Sequence, residues 1–96
     1  MSVDVKEIAG LADEVEAACG FDNALDVRCE LALFEPGEVE TAIRANAART
    51  KVIVTMPDGR ERTFIARDYT ISPHARATTV TALRKRADLL ATEPTA

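Results

Sequence analysis

Apolar positions along the first third of the chain recur at spacings of three and four. Val5, Ile8, Ala12, Val15 and Cys19 do so over 3–19, which predicts an amphipathic helix. Asp4 or Ser2 is placed to cap its start, with Glu7 three residues after Asp4 as in a capping box. Gly20 follows the last periodic residue and suits a left-handed helix end. Leu25, Cys29, Ala32 and Leu33 form a second stripe over about 22–34, with Asp22 as the natural N-cap. Asp26, in the first turn, favours the positive end of that helix. The short link between the two helices predicts antiparallel packing. Phe34 ends the second run and Pro36-Gly37 breaks it. In 38–48, EVETAIRANAA, the apolar edge Val39, Ala42, Ile43 and Ala47 predicts a short third helix.

The period then changes from helical to two. In TKVIVTMPDGRERTFIAR, residues 50–67, two alternating runs flank Pro57-Asp58-Gly59, the signature of a β-hairpin. Pro57 presets φ, Asp58 tolerates the next turn position, and Gly59 supplies a positive φ. A three-residue loop pairs Met56 with Arg60, Val54 with Arg62 and Val52 with Phe64. Val52, Val54, Met56, Phe64 and Ala66 then share one face, the better core candidate. Ile53, Thr55, Thr63 and Ile65 share the other. Ser72-Pro73 marks a helix start, Ser at the N-cap and Pro at the first helical position. The last helix is expected over about 73–91, on the stripe Val80, Leu83, Ala87 and Leu90, and 92–96 as a disordered tail. The fold class is therefore α+β in a single domain over 1–91. It has two or three N-terminal helices, a hairpin, and a C-terminal helix packed on the small sheet. The expected core is Ile8, Val15, Leu25, Cys29, Val52, Val54, Phe64, Val80, Leu83 and Leu90.

Ninety-six residues support one thin core. Three Phe, one Tyr and no Trp argue against base or sugar stacking as the main activity. The net charge of -4 is unevenly divided. Residues 1–48 hold eleven acidic against three basic residues, a net -8, and residues 49–96 hold five against nine, a net +4. The ordinary reading is an acidic first half docking on a basic second half, within one subunit or across a dimer. Cys19 and Cys29 both fall on apolar helical faces and are expected buried and reduced. With no signal peptide or apolar stretch of membrane length, the expected location is the cytoplasm, with no membrane partner.

No catalytic constellation stands out. His74, the lone histidine, lies near Asp68 and Tyr69 but has no nucleophile motif beside it. Cys19 and Cys29 are too far apart in sequence for a zinc pair, so no metal or cofactor is expected. The four glycines have no phosphate-binding spacing. Arg60, Arg62, Arg76 and Arg84-Lys85-Arg86 are the candidates for phosphate contact. Successive helical residues diverge by ~100°, however, so the helical run cannot face one partner together. Glu7, Asp13, Glu14 and Glu16 form an acidic face whose simplest role is solvation. Ile53 and Ile65 mark a hairpin face that the rest of the chain need not cover, and a two-stranded ribbon is marginal alone.

Leu11, Ala12, Val15, Glu16, Ala18, Gly20, Asp22, Leu25 and Asp26, within LADEVEAACGFDNALD at 11–26, resemble the opening of the phage ABA sandwich domain family. Tyr69-Thr70 with Ser72, and Ala82, Leu83, Arg84, Arg86 and Ala87 in the last helix, are weaker echoes. Together they span about a third of the chain. Phe21 stands where the family usually has Pro, and the Trp-rich strands before the final helix are missing, which implies a trimmed, two-layer version. The resemblance implies a phage or prophage origin and carries over no activity. The expectation is thus a small non-enzymatic phage or prophage accessory protein that acts by binding another protein, or itself as a homodimer. The alternative is a nucleotide or nucleic-acid binding module using Arg60, Arg62, Arg84 and Arg86.

Overall fold

A computed structural model describes residues 5–92. Helix α1 spans Val5–Ala17, α2 Asn23–Leu33 and α3 Pro73–Thr92. Between α2 and α3 lie strands β1, Ala42–Ala45, β2, Val52–Thr55, and β3, Glu61–Phe64. The strands form one antiparallel sheet in the order β1-β2-β3. The chain is thus α+β, as its periodicities predict. The expected caps at Ser2 and Asp4, and the tail 93–96, fall outside the described residues, while Thr92 belongs to α3.

Helix α2 is the middle of the molecule. Leu25, Cys29 and Ala32 on one side pack with Ile8, Leu11, Ala12 and Val15 of α1 and Val80, Leu83 and Ala87 of α3. Val27, on the other side, packs with Val52 and Ala66, with Leu31, Ile43 and Ala45 at the margin. Helix α3 lies mainly along α1 and also touches α2, and α2 makes the direct contacts with β1 and β2. The last helix thus reaches the sheet layer through α2. A helix buried on two sides has no single apolar stripe, which is why Val27 escapes a one-face reading.

The local signals act as their chemistry requires. Asp22, in extended conformation, accepts the Leu25 N–H at 3.1 Å and starts α2. Ser72 Oγ accepts the Ala75 N–H at 3.0 Å and starts α3. Gly59 has φ +88°, its N–H donates to Met56 O, and the Met56 N–H donates to Arg60 O at 2.8 Å. Val52 pairs with Phe64 and Val54 with Arg62, the register read from the sequence.

Four expectations need correction. The segment 38–48 is not a helix: Ala42–Ala45 is strand β1, paired through Ile43 with Val54 and Ala45 with Val52. Its helix-like spacing is overridden by the unpaired side of β2 and by Asn46. The Oδ1 of Asn46 accepts the N–H groups of Thr50 and Lys51, turning the chain back. Helix α1 stops at Ala17, so Gly20 is not its left-handed end and Cys19 is exposed beyond it. Phe64 is 45% exposed, because α2 covers β1 and β2 but makes no contact with β3. Leu90 is only partly buried.

Candidate binding surface

The sheet has one covered face and one open face. Ile43, Ala45, Val52 and Val54 point toward α2, and Val52 and Val54 are buried. Ala42, Arg44, Ile53, Thr55, Glu61 and Thr63 point the other way, where no helix packs. Ile53 is half-buried within that face and Ile65 is 74% exposed just beyond β3. The structure therefore brings the two predicted isoleucines onto the uncovered side. An Arg44–Glu61 ion pair crosses this face from β1 to β3. Its effect appears on both groups: the hydrogen bond from Arg44 lowers the Glu61 carboxyl below its ordinary range, and the same bond raises Arg44.

Strand β3 is also a free edge, and all four of its residues are exposed. The direction of its backbone groups follows from the ladder. The Met56–Arg60 bond joins one opposed pair, and bonded pairs alternate along an antiparallel ribbon. Arg62 and Phe64 are then bonded to β2, and Glu61 and Thr63 turn their N–H and C=O groups outward. A second observation agrees. The carbonyl of Thr55, opposite Glu61, accepts the Thr41 N–H on the β1 side.

The predicted basic residues do not gather. Arg84 reaches from α3 to Glu16 at 3.0 Å and Asp13 at 3.2 Å on α1. Arg86 pairs with Glu35 at 3.1 Å and donates to Phe34 O at 3.2 Å. Both lie in the helical layer, where carboxylates already answer their charge. Arg60 pairs with Asp58 across the hairpin turn at 2.5 Å. Arg62 is exposed on β3, and no ion pair joins it to another described residue. The docking of an acidic first half on a basic second half is thus made within one chain by Arg84, Arg86 and Arg67, the last beside Glu30 at 3.5 Å. What remains is the sheet segment 42–66, with five basic residues against two acidic ones.

Of the acidic face, Glu14 holds Arg28 of α2 in a two-pronged pair, which lowers the Glu14 carboxyl below its usual range. His74 is exposed in the first turn of α3. Burial pushes the Cys29 thiol up to about 12, with Asp26 adding to the effect. Among the described residues no group of three or more His, Cys, Asp or Glu could hold a metal, and no helix is long and apolar enough to cross a membrane. Two open depressions of ≈ 420 and ≈ 430 Å³ lie between α1 and α2, bordered by Glu7, Glu14 and Arg28, and between α1 and α3, bordered by Glu16, Arg76 and Arg84.

The polar feature that periodicity misses is inside. Asp26 and Thr70 are both fully buried. They join α2 to the segment before α3, and Arg76 of α3 donates to Thr70 O at 2.9 Å. An Asp in a first helical turn reads as exposed, and only the fold reveals it as internal.

Compared with protein-family models, with curated proteins and with solved structures, the chain finds no match.

Proposed function

We propose that this protein is a small non-enzymatic binding module whose partner is another protein, a second copy of itself first of all. One observation carries the reading: the sheet layer has an uncovered face and an uncovered edge strand, while the three helices pack around one shared core. Exposed strand edges are templates for pairing, and natural monomers blunt or cover them. Here β3 carries Phe64 and is followed by Ile65, both exposed. The resemblance of residues 11–26 to phage ABA sandwich domains supports a phage or prophage accessory role as the setting.

The phosphate-binding alternative is weakened by the placement of Arg84 and Arg86, held by carboxylates in the other layer. Light scattering and oligonucleotide titration separate the two readings. The expected result is a dimer mass in moderate salt, with no oligonucleotide binding that survives there. A monomer that binds a single-stranded oligonucleotide, with affinity falling steeply as salt rises, would replace the protein-binding reading with the other.

A further inference from the structure

We infer that the partner is a second copy of this chain, added antiparallel along β3 about a two-fold axis at Thr63, giving one continuous six-stranded sheet. This rests on the protein-binding reading above and goes further in naming the occupant, the edge and the register.

The register follows from β3 itself. Because Glu61 and Thr63 turn their backbone groups outward, any new strand must form its hydrogen-bonded pairs at these positions. A two-fold pairing of β3 with itself then has few choices that use more than one strand residue. With the axis at Glu61, Glu61 faces its own copy and Arg60 faces Arg62. With the axis at Arg62, Arg62 faces itself. Like charges directly opposed on a ribbon are destabilising. With the axis at Thr63, no like charges are directly opposed, and the two Arg62 side chains are only diagonal neighbours. Thr63 pairs with Thr63, a favourable combination, and Arg62 lies opposite Phe64 twice, once on each side of the axis. Arg62 is exposed without an intrachain ion pair, and Phe64 is the exposed aromatic on the same face. A guanidinium beside an aromatic ring in a closely spaced pair is an attractive contact. Glu61 comes opposite Ile65. Moving the axis on to Phe64 leaves a single pair inside the strands, because the chain turns inward after Ile65 to bury Ala66 and to bond the Arg67 N–H to Glu30.

Complementarity thus favours one register, and among the described elements only β2 contacts β3, leaving that edge open. The contact is short and belongs at the weak end of interface sizes. Association is therefore expected from tens to hundreds of micromolar, in the range where weak interfaces assemble.

Four variants of the full chain test it, two by sedimentation over a concentration series and two by cross-linking. Thr63→Pro removes an outward N–H and no bond to β2, as proline on an edge strand can. It is expected to be monomeric where wild type is dimeric, with an unchanged circular dichroism spectrum. Ile65→Lys places a cation opposite Glu61 of the second copy and is expected to keep the dimer. Thr63→Cys, in a Cys19→Ser background, is expected to cross-link under diamide. Directly paired residues bring Cα atoms to ~5.5 Å, within disulfide reach. Ala45→Cys on the far edge is not expected to cross-link. A dimer that survives Thr63→Pro and is lost in Ile65→Lys overturns the edge pairing and leaves self-association through the open face. Wild type that stays monomeric to about a millimolar overturns the inference outright, since Kd would exceed that of any specific pairing of this kind. If Thr63→Pro fails to fold, the cross-link decides: equal cross-linking at 63 and 45 overturns the register.

Discussion

Thr70 donates twice to one oxygen of Asp26. Its N–H lies 3.0 Å and its hydroxyl 2.9 Å from Oδ1, and both residues are sealed from solvent. The same hydroxyl accepts the Asp22 N–H at 2.7 Å. The start of α2 is thereby tied to the segment entering α3, 44 residues later. The second oxygen, Oδ2, is buried with no partner. A buried carboxylate so supplied favours its neutral form. Desolvation raises the Asp26 carboxyl above its ordinary range, against the pull of the Thr70 bonds, with nearby Asp68 adding to the rise.

The sign of the pH dependence follows. The folded chain holds the Asp26 proton to higher pH than the unfolded chain, whose carboxyl titrates near pH 4. This group therefore contributes most at low pH, and its contribution falls as pH rises from about 4 through the raised value. Asp26→Asn keeps an acceptor for Thr70 and has no proton to lose. Its stability relative to wild type is expected to improve between about pH 4 and neutrality. Denaturant melts across that range check it; a constant difference would show that Asp26 does not titrate abnormally.

Thr70→Val keeps the volume and removes the hydroxyl. It strands the Asp22 N–H and one bond to Asp26, and is expected to cost about 1–3 kcal/mol. Thr70→Ser, which restores the oxygen, should recover most of this. An isosteric Val variant that melts like wild type would mean the hydroxyl is dispensable.

The hairpin, the Asp22 and Ser72 caps and most of the helical core were legible, because each is decided within a few residues. Strand β1 was not. EVETAIRANAA carries apolar residues at helical spacing, and only the unpaired side of β2 makes Ala42–Ala45 a strand. Exposure of Phe64 was equally hidden, since alternation shows that a strand has two faces but not how far a covering helix reaches. Of the candidate surface, Ile53 lies on the uncovered face and Ile65 is exposed just beyond β3, while Arg84 and Arg86 are taken up by α1 and by Glu35. Sequence shows a charge but not the carboxylate that answers it.

The corrected core sets a contrast. Leu83 of α3 is fully buried in the cluster shared with α1 and α2, and Leu83→Ala is expected to cost about 2–5 kcal/mol. Phe64→Ala, on the uncovered strand, should cost about 1 kcal/mol or less in the monomer. Chemical melts of dilute protein measure both. Equal losses would place Phe64 in the core after all.

Gly59 has φ +88°, and a Cβ there would meet no atom within 4 Å. The cost of Gly59→Ala is therefore conformational, roughly 1 kcal/mol. Thermal melts check it. No change in midpoint would mean that the turn relaxes to another type.

The two thiols should separate sharply. Cys19 is exposed and Cys29 buried, with its thiol pushed up to about 12. A thiol reagent on the native protein is expected to modify one cysteine quickly and the other only after denaturation. Two fast reactions would contradict the burial of Cys29 between α1 and α3.

Amide hydrogen exchange at Thr63 and Glu61, followed as concentration rises, reads directly whether the open edge of β3 is where this protein binds. In dilute protein their outward N–H groups should exchange rapidly. From tens to hundreds of micromolar they should become protected while the hairpin turn does not, as a second strand covers them. Exchange at Thr63 that stays fast and independent of concentration, in a sample whose mass shows association, would show that the copies meet elsewhere than at β3.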